Sequence, residues 1–197
     1  YLDDHNVNVT VRSLFDDDYL NDLYLNGHRS IFSIAKCYCR RLVVLLSVFR
    51  YDLILIEKEI FPYLPALVER LLYLFKIKYV VDYDDAIFHN YDLSASVFIR
   101  TLMRRKIDNV MRHATCVVVG NEYLAARARA SGAPRVELIP TVVDFTRYSP
   151  RTLLPTTGLV IGWIGSPSTQ DYLIDIKEVL ITACKAHHAR LMLVGAT

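Results

Sequence analysis

Along this chain, short apolar runs alternate with longer stretches in which apolar residues recur every three or four positions. The strand-like runs are "NVTVRSLF" (8–15), "DLILIE" (52–57), "KYVVDY" (78–83), "TCVVVG" (115–120) and "VELIP" (136–140), then "LVIGWIG" (159–165) and "RLMLVGA" (190–196). Most are near-continuous apolar runs, the pattern of parallel strands buried on both faces. Helical spacing occupies 30–49, 64–75, 94–113, 121–130 and 169–187. In 94–113 it is carried by Phe98, Ile99, Leu102, Met103, Ile107, Val110 and Met111. Asn121 is a helix-capping residue type, and Gly132 is placed to end the same helix. The β-α-β-α order predicts an α/β protein with helices on both faces of a parallel sheet.

One segment breaks this rhythm. "TVVDFTRYSPRTLLPTTG" (141–158) holds Pro150 and Pro155, has no period, and joins two strands without a helix. It reads as a linker. The expected organisation is a first domain over 1–140, a linker over 141–157 and the start of a second domain over 158–197. The chain opens on "YLDDHNVNVTV" without a Met and ends on a strand-like run. The expectation is a piece of a longer protein.

Composition narrows this picture modestly. The 197 residues are 53% hydrophobic, enough for one good core or one domain plus part of another. A net charge of +2 does not single out nucleic acid. Cys37, Cys39, Cys116 and Cys184 match neither a zinc nor a C-x-x-C redox spacing, and with apolar residues around them read as buried free thiols in a reducing cytosol. The run "LVVLLSVF" (42–49) is far shorter than the roughly 20 residues that cross a bilayer. No G-x-G-x-x-G follows a strand, which disfavours a dinucleotide-binding dehydrogenase.

The chemistry concentrates in "VVDYDDAIF" (80–88), with three acids in four residues at a strand end. Three readings compete. Asp82 and Asp84 have the spacing of an Asp-nucleophile phosphatase of the haloacid-dehalogenase type, but Ala86 stands at the hydroxyl position. A D-x-D pair can also hold a divalent cation against a nucleotide diphosphate. Third, ligands of open parallel sheets sit beyond the carboxyl ends of the strands. Asp84 and Asp85 lie at such an end, as do Glu57, Lys58 and Glu59 after one strand and Asn121 and Glu122 after another. Carboxylates, an amine and an amide around one crevice suit a hydroxyl-rich ligand. Taken singly, Glu57, Lys58 and Glu122 also read as ordinary solvated loop residues. Crowded carboxylates raise each other's pKa, which points Asp84 and Asp85 towards a task.

"LIPTVVDFTRYSP" (138–150) resembles the hallmark of group 1 glycosyltransferases of the GT-B fold, an I-P-N-G-V-D followed by an aromatic and a Pro. Ile139, Pro140, Val143, Asp144, Tyr148 and Pro150 match, whereas Thr141 and Val142 replace the usual Asn-Gly. "ATCVVVGNEYLAARARASGA" (114–133) resembles the preceding strand and helix, and "VIGWIGSPSTQDYL" (160–173) the first strand and loop of the donor domain. The resemblance implies a Rossmann-like parallel sheet of the GT-B type, here truncated at both ends. It implies transfer of a sugar from a nucleotide-sugar donor to a glycan or lipid-linked acceptor, usually with retention and without bound metal. No cofactor is expected, the nucleotide sugar being a co-substrate. Asp84 stands where many members carry a His, with Asp85 beside it, and both are the expected catalytic residues. Lys58, Glu59, Asn121 and Glu122 are expected to bind the acceptor. Gly165, Ser166, Ser168 and Thr169 are expected to bind the donor, through backbone amides and hydroxyls.

That donor loop, "GSPSTQD", lacks the Arg and Lys with which many relatives neutralise the diphosphate. This keeps open a non-catalytic GT-B-like binding module beside the phosphatase. The family's first strand and its later E-x7-E segment would lie outside 1–197, so the expectation is that this chain alone is inactive. Arg100, Arg104, Arg105, Lys106 and Arg112 make 97–114 basic. This is either a solvated helix face or a peripheral contact with an anionic membrane at its cytoplasmic side. His187 and His188 suit a helix end more than a metal.

Overall fold

A computed structural model describes residues 7–26, 30–147, 158–166 and 169–195. The chain is α/β and divides into two compact units, Tyr1–Val143 and Asp144–Thr197.

In the first unit, helices α1 (Asp17–Asn26) and α2 (Ile31–Leu45) precede a sheet. Its strands are β1 (Ile54–Glu57), β2 (Tyr79–Tyr83), β3 (Cys116–Val119) and β4 (Val136–Leu138). All pair in parallel, in the spatial order β1-β2-β3-β4, as in Rossmann-like sheets. Between them run α3 (Leu67–Leu74), the one-turn α4 (His89–Asp92), α5 (Val97–Met103), α6 (Lys106–His113) and α7 (Glu122–Ser131). The register aligns Ile56, Val81 and Val117 in one row, and all three are buried. The neighbouring row, Leu55, Val80 and Cys116, is exposed or half-buried.

Helix burial on both faces was the expectation, and the structure corrects it. Each crossover steps the same way along the sheet, and same-handed crossovers place their helices on one side. Helix α6 accordingly lies against both α3 and α7. Beneath them sit Tyr79, Val81, Tyr83, Ile107, Val110, Met111, Val117, Val119 and Leu124, all at most 1% exposed.

Two further expectations change. Residues 8–15 form no strand, and Val9 and Val11 are 58% and 81% exposed. Their alternation suits a strand, but a strand needs a partner, and β1 has only β2 beside it among the described residues. The chain turns instead into α1, whose Tyr19 amide donates to the Asp16 carboxylate at 3.1 Å. The expected single helix over 94–113 is two, α5 and α6, broken at Arg104 and Arg105. The break turns Lys106 into the core, where it is 4% exposed. Helix α7 is capped as its sequence predicts, by Asn121 at one end and left-handed Gly132 (φ 85°) at the other.

The second unit holds two parallel strands, β5 (Val160–Ile164) and β6 (Arg190–Val194), with helices α8 (Gln170–Asp175) and α9 (Lys177–His187). None of its described residues is fully buried. Two strands supply too little apolar surface for an independent core. Gly165 and Gly195 meet at the strand ends. A Cβ on Gly195 would stand 2.1 Å from the Gly165 carbonyl oxygen, so only a glycine fits there.

Candidate functional site

The carboxyl ends of β1, β2 and β3 bring together part of the predicted set. After β1 the Lys58 amide donates to the Asp82 carbonyl at 3.0 Å, and Lys58 then turns left-handed (φ 65°). Its ammonium reaches Asp85 at 3.0 Å. The hydrogen bond that Lys58 donates to Asp85 raises the Lys58 pKa, against partial desolvation, with help from the charges of Asp85, Glu57 and Asp84. The Asp85 side chain is 70% exposed, so the pair orients groups and adds at most about 1 kcal/mol.

Asp84 follows β2 and is exposed. Its carboxylate lies beside Gly120, the residue after β3. The Thr141 hydroxyl, from the segment after β4, donates to it at 3.5 Å. The sequence reading noticed Thr141 as a departure from Asn-Gly without assigning it a role. Its position at a strand's carboxyl end was the available signal. Asp82 is half-buried, and desolvation, then the nearby charges of Asp84 and Glu57, push its carboxyl above the ordinary range. Asp144 serves a local turn instead. The Thr146 hydroxyl (2.6 Å) and amide (3.0 Å) both donate to it, which lowers its pKa.

Glu59 is a correction. Expected in the crevice, it points inward and forms a buried ion pair with Lys106. The Tyr91 hydroxyl donates to Glu59 at 2.6 Å and accepts from the Tyr63 amide at 3.1 Å. Lys106 also donates to the Phe61 carbonyl at 2.6 Å. This cluster holds the loop that carries Lys58. Its signal in the sequence was Lys106 itself, a cation among the core-spaced Met103, Ile107 and Val110.

Glu69, 2% exposed, accepts from the Ile60 amide in the same loop at 3.2 Å. Burial raises its pKa despite that amide and the Lys106 charge. A carboxyl raised on folding contributes stability that is present below the ordinary carboxylate range and lost as pH rises through the folded value. Glu69→Gln keeps an acceptor and removes the ionisation. The variant should therefore unfold at higher urea than the parent at pH 7, with the gap closing in acid. Parallel melts across pH check this.

Asn121 and Glu122 do not converge on the crevice as free ligands. The Leu124 amide donates to Asn121 Oδ1 at 3.0 Å, and Glu122 pairs with Arg129 at 3.1 Å. Asn121→Ala should cost about 1 kcal/mol and Asn121→Asp almost nothing, the outcome of a cap. Equilibrium urea unfolding distinguishes the two. In the second unit, the Ser166 amide donates to Thr169 Oγ1 at 3.1 Å, and that hydroxyl donates back to the Ser166 carbonyl at 3.0 Å. A Cβ on Gly165 would lie 2.3 Å from the Trp163 ring. Ser168 lies outside the described residues, as do Tyr148 and Pro150 of the linker motif.

A second polar cluster escaped the sequence reading. His89 bridges Asp92 (2.8 Å) and the Tyr123 hydroxyl (2.7 Å). Arg127 holds Asp108 with two bonds (2.6 and 3.1 Å) and Asp92 with a third (3.2 Å), and stacks over Phe88. Among the described residues, no three His, Cys, Asp or Glu side chains gather to hold a metal, and no helix is long and apolar enough to cross a membrane.

No family model, curated protein or solved structure matches the chain.

Proposed function

We propose that this chain belongs to a GT-B-type glycosyltransferase, with its first unit serving the acceptor and its second beginning the nucleotide-sugar site. One observation carries the reading. Thr141, inside the linker motif, reaches the strand-end carboxylate Asp84, while the Lys58–Asp85 pair stands on the adjoining strand ends. This gathers an ionised oxygen, a hydroxyl and an ammonium on an exposed edge, the groups that orient sugar hydroxyls. Asp84 accepts the hydrogen bond of the acceptor hydroxyl and takes its proton as the new glycosidic bond forms. Thr141 fixes the carboxylate. The donor diphosphate leaves with its electron pair, and the donor loop meets it through backbone amides rather than arginine or lysine. The acceptor attacks from the face that the diphosphate leaves, which retains the anomeric configuration, and the transfer needs no metal.

The phosphatase alternative fits less well. Ala86 stands where that motif carries a hydroxyl. Titration calorimetry of the full-length protein against a panel of nucleotide sugars, followed by turnover with saccharide and lipid-linked acceptors, tests the proposal. Binding and transfer support it. Magnesium-dependent phosphate release that dies in Asp82→Asn would establish the phosphatase. Silence in both assays favours a non-catalytic module.

A further inference from the structure

Helix α5 and the groove at its end form a surface that the transferase reading does not use. Ser96 caps α5 by accepting from the Ile99 amide at 3.4 Å, and Arg100 folds back onto the Ser94 and Ala95 carbonyls. Met103 is buried, and Ile99 and Arg100 are half-buried. Helical spacing therefore turns Val97, Phe98, Thr101 and Leu102 outwards. The large ones stand in solvent, at 66%, 72% and 61% exposure for Val97, Phe98 and Leu102, with Leu93 at 70% just before them. The outer face of this helix is apolar, where a solvated helix would present charge.

The helix ends at Arg104 and Arg105, which enter a groove of about 460 Å³ shared with Arg112 and Arg127. Asp92 and Asp108 also line it, but both are held by Arg127. Arg112 uses its Nε on the Ser131 carbonyl at 2.9 Å. The Arg104 and Arg105 guanidinium groups have no hydrogen-bond or ion-pair partner among the described residues. Unpaired guanidinium groups beside an exposed apolar face match the phosphate plane and acyl region of a bilayer, in that order of depth.

We propose that α5 and the Arg104–Arg105 groove dock the protein on an anionic phospholipid surface. Phe98, Leu102 and Val97 enter the interface, and Arg104, Arg105 and Arg112 meet lipid phosphates. Four large apolar side chains in solvent beside unpaired guanidinium groups favour an anionic lipid phase over a peptide, because lipid takes up such side chains without needing a preformed pocket. The inference is independent of the transferase reading, because its test needs no sugar nucleotide.

The test is co-flotation of the full-length protein with phosphatidylcholine vesicles, with and without phosphatidylglycerol. Binding is expected only to the anionic vesicles and should weaken as salt rises. Arg104→Gln with Arg105→Gln should weaken it about 30-fold, at roughly tenfold per 1.4 kcal/mol for two interfacial cations. Phe98→Ser with Leu102→Ser should weaken it at least tenfold, since each removes an apolar group from the interface. These residues are exposed, so far-UV circular dichroism should be unchanged. Leu46→Ser with Phe49→Ser, exposed at another site, serves as the control and should bind like the parent. No flotation, equal flotation with neutral vesicles, or loss only in the control variant overturns the proposal. So does competition by millimolar inorganic phosphate without vesicle binding, which would mark a soluble anion site.

Discussion

Lys106→Met should lower the unfolding free energy by about 3–5 kcal/mol, the usual result of removing one partner of a buried ion pair. The substitution preserves the length of the side chain and its apolar stem. What it removes is the charge opposite Glu59, the donor to Phe61 and a neighbour of the Tyr91 hydroxyl. Glu59 would then sit desolvated with Tyr91 as its remaining donor. Adding Glu59→Leu should recover part of the loss, because the uncompensated carboxylate goes with it. The recovery stays incomplete, since the Phe61 carbonyl keeps only the longer, 3.4 Å bond from the Leu64 amide. Urea midpoints for the two single variants and the double variant complete the cycle. A loss below 1 kcal/mol in Lys106→Met would mean that the pair is solvated and the loop is held by something else.

Asp84→Asn should reduce transfer by about 10²–10⁴-fold, the usual contribution of a positioned proton acceptor. The change should fall on kcat, with the affinity for the nucleotide sugar intact, if Asp84 serves the acceptor as proposed. Stability should hardly move, since the residue is exposed and its one side-chain hydrogen-bond partner among the described residues is Thr141 at 3.5 Å. Thr141→Val, which keeps the shape and deletes the hydroxyl, should cost less, because it leaves the carboxylate in place but unoriented. Single-turnover kinetics with pre-bound donor separate these effects. Full activity in Asp84→Asn would remove the residue from the chemistry.

What could be read from the chain divides along physical lines. Core strands β2 and β3 were legible because their near-continuous apolar runs, Val80-Val81 and Val117 to Val119, leave few other folds. The ends of α7 were legible because Asn121 and Gly132 act locally. Residues 8–15 misled because alternation describes a strand without supplying its partner. The side on which helices lie depends on the direction of each crossover, which no periodicity records. Glu59 was assigned to the crevice because it follows a strand's carboxyl end. Its true direction follows from the left-handed turn at the neighbouring Lys58 and from the distant break at Arg104 and Arg105 that delivers Lys106. Of the candidate site, Lys58, Asp84 and Asp85 were identified from strand-end position alone. Thr141 required the fold, because 57 positions of chain separate it from Asp84.

Strand β1 has a further bearing on the protein's behaviour. It closes the sheet with a neighbour on one side only among the described residues, and Leu53 and Leu55 beside that edge are 51% and 69% exposed. Short, apolar and without a lysine or proline between Leu53 and Glu57, it lacks the usual guards against strand addition. Two molecules that meet edge to edge can extend one sheet into the other. Concentration, as well as temperature, therefore governs how long this polypeptide remains in solution, and a lysine at position 55 is the simplest way to interrupt that growth.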